Sequence, residues 1–301
     1  MKPQYSHKLM TSFALWMDNY LLTKGEAYKN ISGHSLTYNA DPQLPDKIIF
    51  SSAYKQWVYD SSVPGATVKN YISGAGYPTL SRQGQPDLKI DYDNGRIMFN
   101  DDNPVITYTS SISADFAVKD FNIYPTDVDE ESLIIDSNYQ ENARYSSLTD
   151  STGIAPYTPV TPAIFVSLAD GRNEPFALGG MDESINEFRC VVFAENPYQL
   201  DGALSIFRDS KNEAISFLEF DDHPHTAYGD LKTGNNTYNQ SDAYDNPTFY
   251  YTGLAAARAD KVFVKDVYTS RMSNKLKEAI NPELHIGFVD FIISDHRNPR
   301  N

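Results

Sequence analysis

The chain has 301 residues, enough to bury a full core, and the usual domain size allows two domains. Forty Asp and Glu against 25 Lys and Arg leave a formal charge of -15, which argues against a surface that wraps phosphates by counterion release. The single Cys190 excludes an intrachain disulfide and fits a reducing compartment, and no basic leader or run of about 18 apolar residues points to secretion or a membrane.

Ser6 to Leu22 reads as a helix with two apolar rows, Leu9-Phe13-Trp16-Tyr20 and Met10-Ala14-Met17-Leu21, and Gly25 is its expected stop. So wide a face needs cover on two sides. It belongs either to a core helix or to one that also packs on a neighbouring subunit, which makes Trp16 an interface candidate. Asp87 to Asn100 reads as a hairpin with Asn94-Gly95 as a two-residue loop, Tyr92 facing Ile97 and Ile90 facing Phe99. Val105 to Tyr124 alternates through Ile106, Tyr108, Ile112, Phe116 and Val118, then changes phase to Phe121 and Ile123. A bulge near Lys119-Asp120 is the simplest cause. The N-terminal half is therefore expected to be antiparallel sheet with the helix laid on it.

From Asp136 to Pro162 the composition turns to Ser, Thr, Tyr, Asn and Pro, which marks a linker or arm. Ala163 to Leu168 opens a second sheet, and Phe188 to Phe193 is a short apolar run fit for a buried strand, holding Cys190 as an inert thiol. Asn196-Pro197-Tyr198-Gln199 then supplies an N-cap, a Pro at N1 and a Gln at N3, with Leu200, Ala203, Leu204 and Phe207 on one helical face. Ile215 to Phe220 returns as a strand. Asp221 to Pro247 is too long and polar for an ordinary connection and reads as a binding loop or assembly arm. Asp260 to Tyr268 is strand-like, Asn274 to Ile280 a short helix, and Ile286 to Ile293 a central strand, apolar on both faces except at Asp290. The expected fold is α+β: a β-rich domain with one long helix over 1–136, a linker or arm over 137–162, and a small α/β sandwich over 163–301.

Few constellations carry chemistry. His223-Pro224-His225 after Asp221-Asp222 is the best metal candidate, yet no third ligand stands at a defined spacing. Gly33-His34-Ser35-Leu36-Thr37 approaches a nucleophile elbow but has Thr where the second Gly belongs. Gly74-Ala75-Gly76 lacks the third Gly of a dinucleotide fingerprint. We therefore expect no catalytic residue, no bound metal and no cofactor. Tyrosine is frequent at 21 residues, and Tyr139, Tyr145, Tyr157, Tyr238 and Tyr244 fall in the polar stretches. A ring with a polar tip suits protein interfaces and also sugar stacking.

Three strings resemble virion structural proteins of tailed bacteriophages: Ile90-Asp91-Tyr92-x-Asn94-Gly95-Arg96, Lys119-Asp120-Phe121-Asn122-x-Tyr124 and Gly287-Phe288-Val289-Asp290-Phe291. The second half looks like the small α/β fold of tail terminator and related neck proteins. That resemblance implies a non-enzymatic homo-oligomeric ring at the head-to-tail junction (neck, connector or tail terminator) within a virion assembled in the host cytoplasm. Its partners would be copies of itself and neighbouring neck, connector or tail proteins, with DNA passing without specific binding. A baseplate or fibre-attachment component, or a carbohydrate-binding receptor module, is the alternative.

Overall fold

The computed structural model describes residues 4–42, 44–68, 71–74, 77–81, 88–103, 106–135, 140–141, 159–177, 180–219, 251–273 and 284–297. They form a strand-rich α+β fold around two principal sheets. The first takes β1 (Tyr28–Tyr38), β2 (Lys47–Ser51), β3 (Tyr71–Gly74), β4 (Tyr77–Ser81), β5 (Lys89–Asp91), β6 (Arg96–Asn100) and β7 (Ile112–Lys119) in the order β4-β3-β7-β1-β2-β6-β5. All its neighbours are antiparallel. Its core holds Phe50, Ile97, Phe99, Ile112, Phe116 and Val118, closed by Trp57, which stacks on Phe116 with centroids 4.0 Å apart.

The hairpin between β5 and β6 differs from its expected register. Asp91 lies opposite Arg96 and Ile90 opposite Ile97, so the loop has four residues, Tyr92 to Gly95. Sliding by two residues leaves every side chain on its expected face, because the period of a strand is two. The wider turn is held by Asp91, whose carboxylate accepts from Asn94 N, Asn94 Nδ2 and Arg96 Nε. It also docks on the preceding segment: Ser52, Gln56 and Trp57 amides donate to Gly95, Asp93 and Tyr92 carbonyls. Gly95 has a φ of 63°, and a Cβ there would meet Tyr54 O at 1.8 Å.

The helix expected over Ser6 to Leu22 is α1 (Tyr5–Lys24), and it does not lie on the first sheet. The segment around Trp57 already fills that core. Leu9, Phe13, Trp16 and Met17 pack instead with Ile164, Phe188, Val192 and Phe291 of the second sheet, and Phe13 stacks on Phe188 at 4.2 Å. Burying each such side chain contributes about 1.5 to 3 kcal/mol. Only the far end of the helix reaches the first sheet, through Leu22 against Val58, Val63 and Ala117 and through Asp18 bridged to Lys119 at 2.7 Å. At Gly25, an added Cβ would meet Ile206 Cδ1 at 2.6 Å, so glycine lets the helix end close to its neighbour.

The phase change after Val118 is a change of sheet and not a bulge. β7 ends at Lys119, and β8 (Asn122–Pro125) pairs in parallel with β11 (Ala163–Ala177) in the second sheet. Gln56 spans the junction: its side-chain amide accepts from Ile123 N at 2.9 Å and donates to Ile123 O at 3.1 Å. It thus satisfies a buried strand residue as a neighbouring strand would.

Between the sheets in sequence lie α2 (Glu130–Ile135) and the short parallel pair β9 (Gln140–Glu141) with β10 (Val160–Thr161). The ends of the expected arm thus meet. The second sheet is completed by β12 (Met181–Ala194), β13 (Ala214–Ser216), β14 (Lys261–Arg271) and β15 (His285–Arg297), in the order β13-β14-β15-β12-β11-β8. β15 is internal, as its apolar run requires. α3 (Pro197–Arg208) covers the same face as α1, with Asn196 Oδ1 accepting from Gln199 N at 2.9 Å. Gln199 Oε1 reaches back one residue further than a capping box would, to Glu195 N. α2 covers part of the opposite face, with Ile134 against Phe165, Val191 and Ile286. A short helix, α4 (Tyr251–Ala256), meets β13 where Tyr251 Oη accepts from Ser216 N.

Candidate functional site

Of the expected interface residues, Trp16 is 3% exposed and tilted against Phe13 and Tyr20 in the main core. Its ring is part of the chain's own packing and is not presented to a neighbour. Tyr139, Tyr145, Tyr157, Tyr238 and Tyr244 lie outside the described residues, as do His223, His225 and the helix expected over Asn274 to Ile280. Among the described residues, no group of three or more His, Cys, Asp and Glu is placed to hold a metal ion. Ser35 sits inside β1 opposite Ser113, not at a strand-to-helix turn. Cys190 is fully buried, and burial, reinforced by Asp290, pushes its thiol well up. No described helix is long and apolar enough to cross a membrane.

Two charge clusters are built into the fold. In the first sheet Arg96 is bonded to Asp91 at 2.8 Å and to Asp41 at 2.6 Å, all three beyond the reach of solvent. Lys55 lies beside them, 5% exposed; burial lowers its ammonium to about 8, Asp93 and Asp91 work against that shift, and Arg96 adds to it. A guanidinium saturated by two carboxylates closes a loop and does not meet a ligand. In the second sheet Arg189 lies opposite Asp290 on the neighbouring strand and grips it with two bonds, of 2.7 and 2.9 Å, while its third arm holds Glu130 of α2 at 2.9 Å. The bonds to Asp290 hold this guanidinium well above the ordinary arginine range.

The surface most able to bind is the rim of the second sheet. β8 covers β11 only from Ala163 to Val166, and β13 with the two residues before it covers β14 only from Lys261 to Val264. Bonded and unbonded pairs alternate along an antiparallel ladder, so the described hydrogen bonds fix which backbone groups face outward. On β11 the Pro162 and Val166 carbonyls accept from Asn122 and Thr126 amides. After the register shift between Leu168 and Asp170, the outward positions are Gly171, Asn173 and Pro175. This edge is blunted. Asp170 Oδ1 takes the Gly171 amide at 2.7 Å, and Pro175 has no amide to offer.

On β14 the Met272 amide donates to Ile286 O, which continues the register with β15 and turns Val267, Thr269 and Arg271 outward. Among the described residues β13 is the strand on that side and ends before this segment, and no proline or side-chain cap closes the remainder. Exposed apolar side chains flank both rims: Phe176 and Met181 near the tip of the β11–β12 hairpin, Phe263 and Tyr268 on β14, the last 60% exposed. Sequence reasoning found these strands but not their edges. Pro175 inside an alternating run was the available signal for one of them; nothing local marks the other.

No protein-family model matches the chain, and no curated protein matches it.

Proposed function

We propose that the chain is a non-enzymatic structural component of a phage virion, forming a ring at the head-to-tail junction as neck, connector or tail terminator. The observation that carries this reading is the rim of the second sheet, where β14 backbone without a partner among the described residues runs beside exposed aromatic side chains. Such a surface binds strands and apolar patches of other proteins. One heterologous contact repeated around a closed cycle makes a ring, and neighbouring neck, connector or tail proteins would dock on its two faces. The charge of -15 supports passage of DNA through such a ring without adhesion. Electron microscopy and mass photometry of the purified protein test the proposal. Annular particles are expected under assembly conditions, from a dilute protein of smaller mass; a protein that never exceeds a dimer sinks it.

One observation favours a carbohydrate-binding module as the second reading. Tyr38 and Tyr108 stand exposed with centroids 6.1 Å apart, beside the hydroxyls of Thr107 and Thr109. The turn under Tyr108 is set by Ile106 N donating to Asn103 Oδ1 and Ser110 N to Thr107 O. Glycan binding by the monomer, lost in Tyr108→Ala, would establish this reading in place of the first.

A further inference from the structure

We infer that the free protein pairs with a second copy of itself through β14, edge to edge about a two-fold axis at Thr269. This inference concerns the dilute chain and does not rest on the virion reading; in a ring the same rim would exchange this two-fold partner for a heterologous one.

The two rims of the second sheet are treated differently. β11 carries a register shift, a side chain seated on the Gly171 amide and a proline, three devices that stop strand addition. β14 has its own register shift, between Val264 and Asp266, but among the described residues neither a proline nor a side chain seated on an amide follows it along Val267, Thr269 and Arg271. A sheet open at both rims would grow head to tail without limit. A sheet open at one rim can close only on an identical rim, and growth then stops at two chains.

The β14 rim is self-complementary in one register. Outward backbone groups must face outward groups, so the two-fold axis can move only in steps that keep Val267, Thr269 and Arg271 opposite one another or opposite residues of the same parity. With the axis at Thr269, Val267 faces Arg271 of the second copy, Thr269 faces Thr269, and all three residues bond. On the exposed face Tyr268 lies opposite Ser270. No like charges are opposed, and a directly opposed Thr pair is a favourable one. Moving the axis to Tyr268 sets Lys265 against Arg271, and moving it to Ser270 carries Val267 past the end of the strand to Ser273. The neighbouring β13 and the residues before it, bonded to Lys261 through Val264, stop short of the paired segment.

Thr269→Pro tests this directly. Its nitrogen points away from β15, so the substitution removes no hydrogen bond within the chain. Wild type is expected at twice the 33.8 kDa chain mass by sedimentation, and Thr269→Pro at the single mass with unchanged circular dichroism and a melting temperature that no longer depends on protein concentration. Amide exchange at Val267 and Arg271 should be slow in wild type and fast in the variant, whose residue 269 has no amide.

Cysteine cross-linking decides the register even if the proline variant melts early. Thr269→Cys places two thiols across a bonded pair with Cα atoms about 5.5 Å apart, within disulfide range, and the native Cys190 is buried and does not compete. Oxidation should give a covalent dimer for Thr269→Cys and far less for Ser270→Cys, whose neighbour across the axis is Tyr268. Cross-linking equal in the two variants overturns the inference, as does a double mass that survives Thr269→Pro. A wild type that is monomeric when dilute yet forms rings under assembly conditions removes this pairing and leaves the ring proposal standing; a wild-type monomer at every concentration removes both.

Discussion

Arg96 in the first sheet and Arg189 in the second each hold two carboxylates, yet the first side chain is 2% exposed and the second 40%. The same chemistry therefore does different work. Around Arg96 three buried charges depend on one another, and the loop at Asp41, the hairpin at Asp91 and the Lys55 segment are locked together. Around Arg189 the charges lie on a partly wet face above an apolar sheet, and water can replace any of them. The first sheet stakes its integrity on electrostatics, whereas the second rests on the aromatic packing between α1, α3 and the sheet.

Arg96→Met gives the sharpest break. It strands Asp41 and Asp91 without a counter-charge, and a loss of about 3 to 5 kcal/mol is expected in urea unfolding. Probes in the first sheet should report it before probes in the second. Gln56→Ala comes next. It removes both partners of Ile123 at the junction of the sheets, with an expected cost of about 2 to 4 kcal/mol.

Lys55 sharpens the contrast through pH. Its folded value is about 8 against an ordinary 10.5, so between those limits the unfolded chain binds a proton that the native one has released. Stability therefore rises with pH across that window, by about 1 to 3 kcal/mol. Lys55→Met should flatten the rise and stabilise the protein at pH 7; a wild-type profile already flat from pH 8 to 10.5 contradicts this account. Arg189→Met is the smallest effect, about 1 kcal/mol or less, because an exposed pair loses little when water takes its place. If it equalled Arg96→Met in cost, the distinction between the two sheets would disappear.

How far the sequence could be read follows from how local each interaction is. The start of α3 was legible because Asn196, Pro197 and Gln199 are cap and partner within four residues. Strands β12, β14 and β15 were legible from apolar runs. The hairpin loop was not, because its width depends on Asp91 meeting Arg96, which in turn meets Asp41 55 residues away. The position of α1 was misread for a related reason: a wide apolar face states that cover is needed without stating which sheet provides it. A phase change between Val118 and Phe121 looks the same whether a strand bulges or leaves for another sheet. At the candidate site, tyrosine frequency points to polar stretches of sequence outside the described residues, while the rims of β11 and β14 arise from strand order, which no local pattern encodes.

The partnership between Phe13 and Phe291 has a consequence for biosynthesis. The two rings are 278 positions apart, 291 minus 13, and a ribosome adding about 5 to 20 residues per second needs roughly 15 to 60 seconds to make the second after the first. Ile164, Phe188 and Val192 emerge earlier, but until β15 is made the sheet under the greasy side of α1 lacks an internal strand, so chaperone binding should concentrate there. Translation intermediates stalled before position 280 should be cut within α1 by protease, and the released full-length chain should resist.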